Sequence, residues 1–321
     1  LNHLGINKAP SKSTISYQNK NRNWELFRDY YYELLGSLTK QTEFKQVRFK
    51  IKSKILLLDS STISLCLSLF DWAKYKTAKG AVKMHTLLDY DGNLPAYVNI
   101  TNGKTADNKG AYDIPLLKRS VIVADRFYND FSLLNVWDSN EVFFVVRHKD
   151  NIKYEVIKEN DLPENRHENI LKDELISLIG TKSKKKYPKK LRRVAIWDEK
   201  NQQTIEVITN QKSWTANTIS ELYKSRWQIE IFFREVKQLL NIKSFIGTSE
   251  NAVMIQIWTA LITILILKTL KQKAKYSWYL SNLVAFIRLN LFVKIDLDLW
   301  LNEPFEDRKE SPPKYIQGVL N

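Results

Sequence analysis

Two short apolar runs, each closed by an aspartate, constrain the fold of this chain most strongly. The stretch KILLLDSST carries the run 55–58 followed by Asp59, and the stretch SVIVADRF carries the run 121–124 followed by Asp125. Four branched or apolar residues in a row, bounded by polar residues, are typical of a strand that is buried on both faces. We therefore predict two buried strands, each of which ends at its aspartate.

The remaining sequence alternates strand and helix patterns. Two strand-like runs surround the pair Asp91-Gly92, which favours a hairpin turn, and helical periodicity over 131–139 follows the second aspartate. Short β-branched runs occupy about 141–210, and helical patterns cover about 218–240, 249–273 and 278–291. This order predicts an α/β fold with a β-rich insertion. If the two buried strands are parallel neighbours, Asp59 and Asp125 lie side by side.

Changes of pattern divide the chain into five segments. They are a helical, basic N-terminal segment (1–50), the first part of a core (51–140), a β-rich insertion (141–212), the second part of the core with C-terminal helices (213–303) and a tail (304–321). We predict that an amphipathic helix in the first segment ends at Gly36. A capping box of Thr218 and Glu221 is predicted to open the first helix after the insertion.

One helical stretch, ELYKSRWQIEIFFREVKQLL, concentrates charge on one side. At 100° per residue, four residues fall within about 60° of one another: Tyr223, Arg226, Glu230 and Lys237. Apolar residues occupy the opposite side: Leu222, Ile229, Phe232, Phe233, Val236, Leu239 and Leu240. We interpret the charged stripe as a carboxylate flanked by cations, turned away from the core. The structural alternative is a surface ion pair of Glu230 with Arg226 or Arg234.

Three carboxylates would suit a pair of magnesium ions if the stripe approaches the two strands. Mg²⁺ prefers oxygen ligands, and two such ions can activate the attacking oxygen and stabilise the leaving oxygen of a phosphodiester. Asp59, Asp125 and Glu230 are the predicted ligands. The cations of the stripe could then reach flanking phosphates, and its tyrosine could contact a phosphate or a base. Taken singly, each aspartate could equally be a turn or cap residue.

The charge of the chain favours a polyanionic partner. It has 50 Lys and Arg against 35 Asp and Glu, a net charge of +15 and a pI near 9.5, which suits phosphate contacts. A lysine-rich proteome is the alternative explanation. Further predicted DNA contacts are Arg126, Trp227, Lys184, Lys185 and Lys186, although the lysines could form a solvated loop and Trp227 could pack at the edge of the core.

Other features indicate a cytoplasmic protein without a membrane anchor. Cys66 is the only cysteine, so an internal disulfide bond cannot form and a reducing compartment fits. We find no signal segment at the start. The apolar run 253–267 is shorter than the roughly 20 residues that span a bilayer, so we predict a buried helix there.

The stripe has the spacing Y-x2-R-x3-E-x6-K, and with LLLDSST and VIVADRFY it resembles the insertion-sequence-four family of bacterial transposases over about 50–290. The resemblance implies a ribonuclease-H-like core interrupted by a β-rich insertion. It implies that Asp59, Asp125 and Glu230 are catalytic and hold two Mg²⁺ ions, for which Mn²⁺ can substitute. The other three residues of the stripe would hold DNA near the cut.

The family implies cleavage at the terminal inverted repeats of an element and attack of the freed 3′-hydroxyl on target DNA, by a homodimer associated with the nucleoid. This chain departs from the family pattern in two ways. About 50 residues precede the first strand and the chain begins with Leu1, so we expect a truncated DNA-binding region. Phe127 and Tyr128 are both candidates for the aromatic that some members use to flip a base. The alternative functions are a nuclease that never joins ends and an inactive DNA-binding remnant.

Overall fold

The computed structural model describes residues 8–39, 49, 51–65, 72, 74–76, 79–239, 245–293 and 295–305, without the side chains of 74–76, 79, 238 and 239. Predictions about Cys66, Leu240 and the tail beyond Phe305 lie outside these residues, as does the packing of the Leu239 side chain. The chain divides into two compact units, one formed by 10–263 and the other by 1–9 with 264–321.

A mixed β-sheet lies at the centre of the first unit. Its strands in the described residues are β1 (Ile55–Leu65), β2 (Lys74–Lys76), β3 (Lys79–Asp89), β4 (Leu94–Asn102), β5 (Val121–Ala124), β6 (Phe143–Arg147), β7 (Tyr154–Glu159), β8 (Ile170–Leu178), β9 (Leu191–Asp198) and β10 (Gln203–Thr209). Their order is β2-β3-β1-β5-β6-β10-β9-β8-β7, with β4 paired to β3. The pairs β1–β5 and β5–β6 are parallel and the others are antiparallel.

Helices connect and flank these strands. Those in the described residues are α1 (Lys12–Asn21), α2 (Glu25–Thr39), α3 (Asp107–Ala111), α4 (Phe131–Ser139), α5 (Thr181–Lys186), α6 (Ala216–Ser225), α7 (Trp227–Leu239), α8 (Glu250–Lys273), α9 (Leu280–Asn290) and α10 (Leu297–Asn302), with a 3₁₀ turn at Arg126–Tyr128. The α/β architecture with C-terminal helices therefore agrees with the sequence pattern.

Strand β1 corrects the predicted strand end at Asp59. The strand continues to Leu65, because the antiparallel neighbour β3 pairs with it along nearly its whole length. The parallel neighbour β5 pairs only with residues 55–58, and its last pair is Leu58 with Ala124. Asp59 and Asp125 therefore both follow the point where parallel pairing stops, and the predicted side-by-side arrangement of the two residues is confirmed.

The segment 141–212 is rich in strands, as its sequence indicates. Its first strand, β6, pairs with β5 in parallel, and β10 returns to pair with β6, so these strands extend the central sheet. Helix α4 packs on β6 through a core that includes Leu134, Trp137 and Phe144. The boundaries proposed for this segment remain a prediction.

Three local predictions have different outcomes. The hairpin around Asp91-Gly92 is confirmed, since β3 and β4 pair directly before and after it. Helix α4 spans the predicted residues and begins after Asp130, whose side chain accepts a hydrogen bond from the backbone of Ser132. The predicted helix end at Gly36 is wrong, because α2 continues and buries Leu38; this glycine keeps an ordinary helical backbone.

Helix α8 is a core helix. By length and composition it could cross a membrane, but 61% of its most apolar window is buried inside the protein. In the first unit the Trp258 ring packs on that of Tyr31, at 5.4 Å between centroids. This burial agrees with the predicted buried helix. The second unit has its own small core, which includes Trp278 and Trp300.

Candidate active site

Two aspartates at adjoining strands form the base of the candidate site. The backbone N–H of Ser60 donates to Oδ1 of Asp59 at 2.7 Å. The backbone N–H of Phe127 donates to Oδ1 of Asp125 at 2.8 Å, so Asp125 caps the 3₁₀ turn that follows β5. Backbone hydrogen bonds of this kind fix a carboxylate and favour its charged form. Both side chains are therefore oriented by the chain directly after them.

The charged stripe lies on two helices rather than on one. Helix α6 ends at Ser225 and α7 begins at Trp227, with Arg226 between them. The backbone stays right-handed, but the bonds from Arg226 N to Tyr223 O and from Ile229 N to Arg226 O span three residues. This local tightening interrupts the regular spacing of 100° per residue on which the predicted stripe depends.

The start of α6 also differs from the prediction. Thr215 is its N-cap and accepts a hydrogen bond from the backbone of Thr218, so the capping box of Thr218 with Glu221 is wrong. The helix begins three residues earlier because Ala216 and Ile219 are buried. On α7 the predicted apolar side is confirmed for the residues whose side chains are described: Ile229, Phe232, Phe233 and Val236 are all buried.

Arg226 joins the stripe to the strands. Its Nη2 lies 2.5 Å from Oε1 of Glu230, and its Nη1 lies 3.5 Å from Oδ2 of Asp59. The ion pair with Glu230 that was the structural alternative therefore forms, but it is not a surface pair. The side chains of Arg226 and Asp59 are only 17% and 19% exposed. One guanidinium thus stands between two of the three predicted carboxylates.

The electrostatics show a site that is short of positive charge. Burial is the main cause that raises the pKa of Asp59 to about 7; the charges of Asp125 and Glu230 add to it, while the Ser60 N–H and Arg226 oppose it. Burial also raises the pKa of Asp125, against the Phe127 N–H and Arg226. Carboxylates that resist ionisation in this way would be relieved by a further cation.

A divalent ion fits the chemistry of this donor set but not its present arrangement. Asp59, Asp125 and Glu230 offer the hard oxygen atoms that Mg²⁺ or Mn²⁺ prefers. Among the described residues, no three His, Cys, Asp or Glu side chains are gathered as a metal site. Glu230 instead accepts a hydrogen bond from Arg226 through Oε1.

Lys237 and Glu230 share a small groove with Asp59. The groove has a volume of about 370 Å³ and is lined by Asp59, Ser60, Ser61, Glu230, Phe233, Arg234 and Lys237. Nζ of Lys237 donates to the carbonyl oxygen of Thr62 at 2.8 Å, which fastens α7 to β1. This contact brings the carboxylate of α7 to the strand that carries the first aspartate.

Tyr223 and Trp227 lie in a larger groove beside the first. It has a volume of about 800 Å³ between α6, α7 and strands β9 and β10, and its polar and aromatic lining includes Tyr223, Arg226, Trp227, Arg147, Lys200, Lys224 and Trp197. Burial raises the pKa of Tyr223, opposed by Arg226 and Arg147. Trp227 is 49% exposed, so it does not simply fill the core.

The other predicted contact residues are exposed, and Arg126 directly follows the second aspartate. Lys184, Lys185 and Lys186 are exposed on α5, which packs against α4 and β8. Arg126 is exposed and lies 3.9 Å from a carboxylate oxygen of Asp150. Of the two aromatics after the second aspartate, Phe127 is 58% exposed and Tyr128 is buried. Only Phe127 is therefore presented to solvent.

A polar cluster next to the aspartates, formed by Asp107, Ser60 and Lys83, was not predicted from the sequence. Oδ1 of Asp107 accepts hydrogen bonds from Oγ of Ser60 at 2.5 Å and from Nζ of Lys83 at 2.9 Å. The charge of Asp107 also raises the pKa of Asp125. The local sequence TADNKG reads as a polar loop, and no periodicity marks it.

Comparison with known proteins gives the family. Residues 50–266, more than half of the chain, match the model of the transposase DDE domain. A probable transposase for insertion sequence element IS5377 of Geobacillus stearothermophilus is 29% identical over 287 residues, covering 89% of this chain and 74% of that protein. A candidate transposase for element IS4SA of Synechocystis is 26% identical over 294 residues, covering 91% and 81%. The chain therefore belongs to the DDE transposase family of insertion-sequence transposases.

Proposed function

We propose that this chain cuts DNA at the ends of an insertion sequence and joins the freed 3′-hydroxyl groups to target DNA. The observation that carries the proposal is the approach of Glu230, through Arg226, to a buried aspartate at the end of the parallel β1–β5 pairing. Asp125 follows the neighbouring strand at the same level. These three residues are the proposed D-D-E set.

The sheet supports a ribonuclease-H-like core. Strands β4, β3, β1, β5 and β6 form a continuous run in which β4, β3 and β1 pair antiparallel and β1, β5 and β6 pair in parallel. Membership of the DDE transposases implies this type of core. The proposed insertion, 141–212, begins with β6 itself, which pairs with the core strand β5, and continues through β7 to β10, the last of which returns to pair with β6.

The same residues are proposed to hold divalent ions, two Mg²⁺ for which Mn²⁺ can substitute. When bound, such ions supply the positive charge that stabilises the attacking and leaving oxygens of a phosphodiester. Asp59 and Asp125 are already oriented by backbone N–H groups. Glu230 lies in the first turn of α7, where the helix dipole favours its negative charge.

The cations of the stripe are proposed to hold DNA. Arg226 is the strongest candidate, because a guanidinium that releases a carboxylate can bind a phosphate with two parallel hydrogen bonds. Tyr223 and Trp227 line the adjoining groove, where a phosphate or an unstacked base could lie. Lys237, Arg126 and the lysines of α5 would add weaker contacts. Synapsis of two element ends would use a homodimer.

The substitution Glu230→Gln tests the assignment. It keeps the size of the side chain and removes the charge, so we expect Mg²⁺-dependent strand cleavage to fall by roughly 10³-fold or more. DNA affinity in a gel-shift assay should stay within about threefold, since Glu230 repels phosphate rather than binding it. Glu164→Gln, an exposed glutamate between β7 and β8 that lines neither groove, is the matched control and should cut normally. Normal cleavage by the Glu230 variant would contradict the proposal.

Joining distinguishes transposition from the two alternatives. The wild-type protein is incubated with Mg²⁺, a labelled element end and a supercoiled plasmid, and products are resolved on a denaturing gel. Transposition predicts labelled ends covalently joined to the plasmid. A nuclease would give fragments without joining, and an inactive DNA-binding remnant would bind the ends without cutting them.

A further inference from the structure

The short helix α3 touches both chain segments that carry the candidate aspartates. It packs against the 3₁₀ turn that follows Asp125 and against β3, the neighbour of β1, and it reaches β1 itself through the Ser60 side chain. No residue of α3 belongs to the D-D-E set or to the charged stripe. Its two leading side chains, Asp107 and Asn108, point to different segments, and each makes a specific hydrogen bond there.

Asp107 holds the strand beside the first aspartate. Its Oδ1 accepts from Oγ of Ser60, the residue directly after Asp59. Lys83 of β3 donates to the same oxygen and, at 2.8 Å, to the carbonyl oxygen of Thr105. The Lys83 and Asp107 side chains are only 13% and 22% exposed, so the contact is shielded from water. A partly buried ion pair of this kind fixes geometry more than it adds stability.

Asn108 holds the segment after the second aspartate. Its Nδ2 donates to Oδ2 of Asp130 at 3.0 Å. The other carboxylate oxygen of Asp130 accepts from the backbone of Ser132 and caps α4. The turn that begins at Asp125 is thus capped at its start by Asp125 itself and tied near its end to α3. Neighbouring residues 107 and 108 therefore connect the two aspartate-bearing segments.

Close packing keeps α3 in place. A Cβ atom at Gly110 would lie 2.6 Å from the His85 ring, so the helix backbone rests directly on this side chain of β3. His85 is buried, and its Nε2 lies 2.9 Å from Oγ1 of Thr101 on β4. The hairpin β3–β4 therefore serves as the fixed support from which Asp107 and Asn108 reach the site.

We propose that Asp107 and Asn108 are positioning residues that set the spacing between Asp59 and Asp125, and so the affinity of the site for divalent ions. This inference rests on the proposed function, because it assigns the two aspartates to metal binding. Partners that orient metal ligands without touching the metal change metal affinity by about 10–100-fold when they are removed. Asp107 and Asn108 hold the backbone beside the ligands, so we expect the lower end of this range.

The test is Mn²⁺ binding by the metal-free protein without DNA, measured by electron paramagnetic resonance. Asn108→Ala and Ser60→Ala each remove one hydrogen bond and leave the ion pair of Lys83 intact. We expect each to weaken Mn²⁺ binding about tenfold, with DNA affinity and thermal midpoint close to wild type. Cleavage by either variant should recover at raised Mn²⁺, which a simple loss of folded protein would not produce. Asp107→Asn adds a stronger test if it folds.

Two reference proteins make the outcome decisive. Asp113→Asn, an exposed carboxylate two residues after α3, should bind Mn²⁺ like wild type, and Asp59→Asn should lose most binding. If Asn108→Ala and Ser60→Ala both bind Mn²⁺ like Asp113→Asn, the positioning role is refuted. If the wild-type protein and Asp59→Asn bind Mn²⁺ equally, the proposed function itself fails.

Discussion

Two buried groups of charged residues in the same sheet differ in how their charge is balanced. The first, which we term the structural cluster, is formed by β8, β9 and β10 and consists of Asp173, Glu174, Arg192, Arg193 and Glu206. Arg192 contacts both carboxylate oxygens of Asp173, at 2.8 and 2.6 Å. Arg193 contacts Glu174 and both oxygens of Glu206. Two guanidinium groups thus serve three carboxylates.

The candidate site also has three carboxylates, those of Asp59, Asp125 and Glu230, but one guanidinium, that of Arg226, bridges two of them. In the structural cluster, burial raises the pKa of Glu206, yet hydrogen bonds and charge from Arg193 hold it below its ordinary value. In the site, burial dominates, and the pKa of Asp59 rises to about 7. In the structural cluster, the arginines of the fold balance the carboxylates. In the candidate site, the carboxylates still favour an added cation.

The largest effect should come from unbalancing the structural cluster. Arg193→Ala leaves Glu174 and Glu206 without their main cation in a buried position, so we expect the free energy of unfolding to fall by about 3–5 kcal/mol. Urea unfolding followed by circular dichroism measures the change. Lys118→Ala breaks an exposed pair with Glu141 and should cost less than about 1 kcal/mol. Equal losses in the two variants would mean that the balanced charges of the structural cluster contribute no more to stability than an exposed ion pair does.

A smaller effect of opposite sign is expected in the site. The folded-state pKa of Asp59 is raised, so its contribution to stability is fully present below about pH 4 and is lost as pH rises through about 7. The substitution Asp59→Asn removes this loss of stability, because the amide does not ionise. The variant in EDTA should therefore be more stable than wild type at pH 8, by on the order of 2 kcal/mol, and nearly equal near pH 4.

Thermal unfolding of both proteins across pH 4–8 measures this difference. Asp113→Asn, on the surface near α3, should follow the wild-type curve. An Asn variant whose stability follows the wild-type curve across this range, or falls below it at pH 8, would show that the site is not short of positive charge.

The smallest effect concerns cations outside both clusters. Replacing Lys184, Lys185 and Lys186 with Gln should lower non-specific DNA affinity a few-fold at 0.1 M salt. It should also reduce the slope of log affinity against log salt by up to about 3. Fluorescence anisotropy with random-sequence duplex measures both quantities, and Lys158→Gln on the edge strand β7 is the control. An unchanged slope would mean that these lysines are only a solvated surface.

The sequence was most informative where local pattern and chemistry coincide. Fully apolar β5 could only be a buried strand, and Asp130 marks the start of α4, so both elements were predictable. The spacing of the stripe pointed to Glu230 and Arg226, which lie near Asp59 in the structure, while their functional roles remain a prediction. Asp59 was correctly paired with Asp125, although its strand does not end there: the continuation of β1 depends on β3, a partner that local sequence does not reveal.

The rest of the site depends on contacts between distant segments. The sequence around Asp107 reads as a polar loop although the residue begins helix α3, and its contacts with Ser60 and Lys83 join segments that are far apart in the chain. The bridge of Arg226 to Asp59 likewise joins residues 167 positions apart (226 − 59). No glycine or proline marks the break between α6 and α7 after Ser225. The sequence alone therefore favours one continuous helix with regular spacing.

Metal binding by the folded protein tests the central claim most directly. Calorimetric titration of Mn²⁺ into the metal-free protein should show that Asp125→Asn and Glu230→Gln each bind at least about tenfold more weakly than wild type. Glu164→Gln, as the matched control, should bind like wild type. If either the Asp125 or the Glu230 variant binds Mn²⁺ as wild type does, these carboxylates are not the ligands and the account is contradicted.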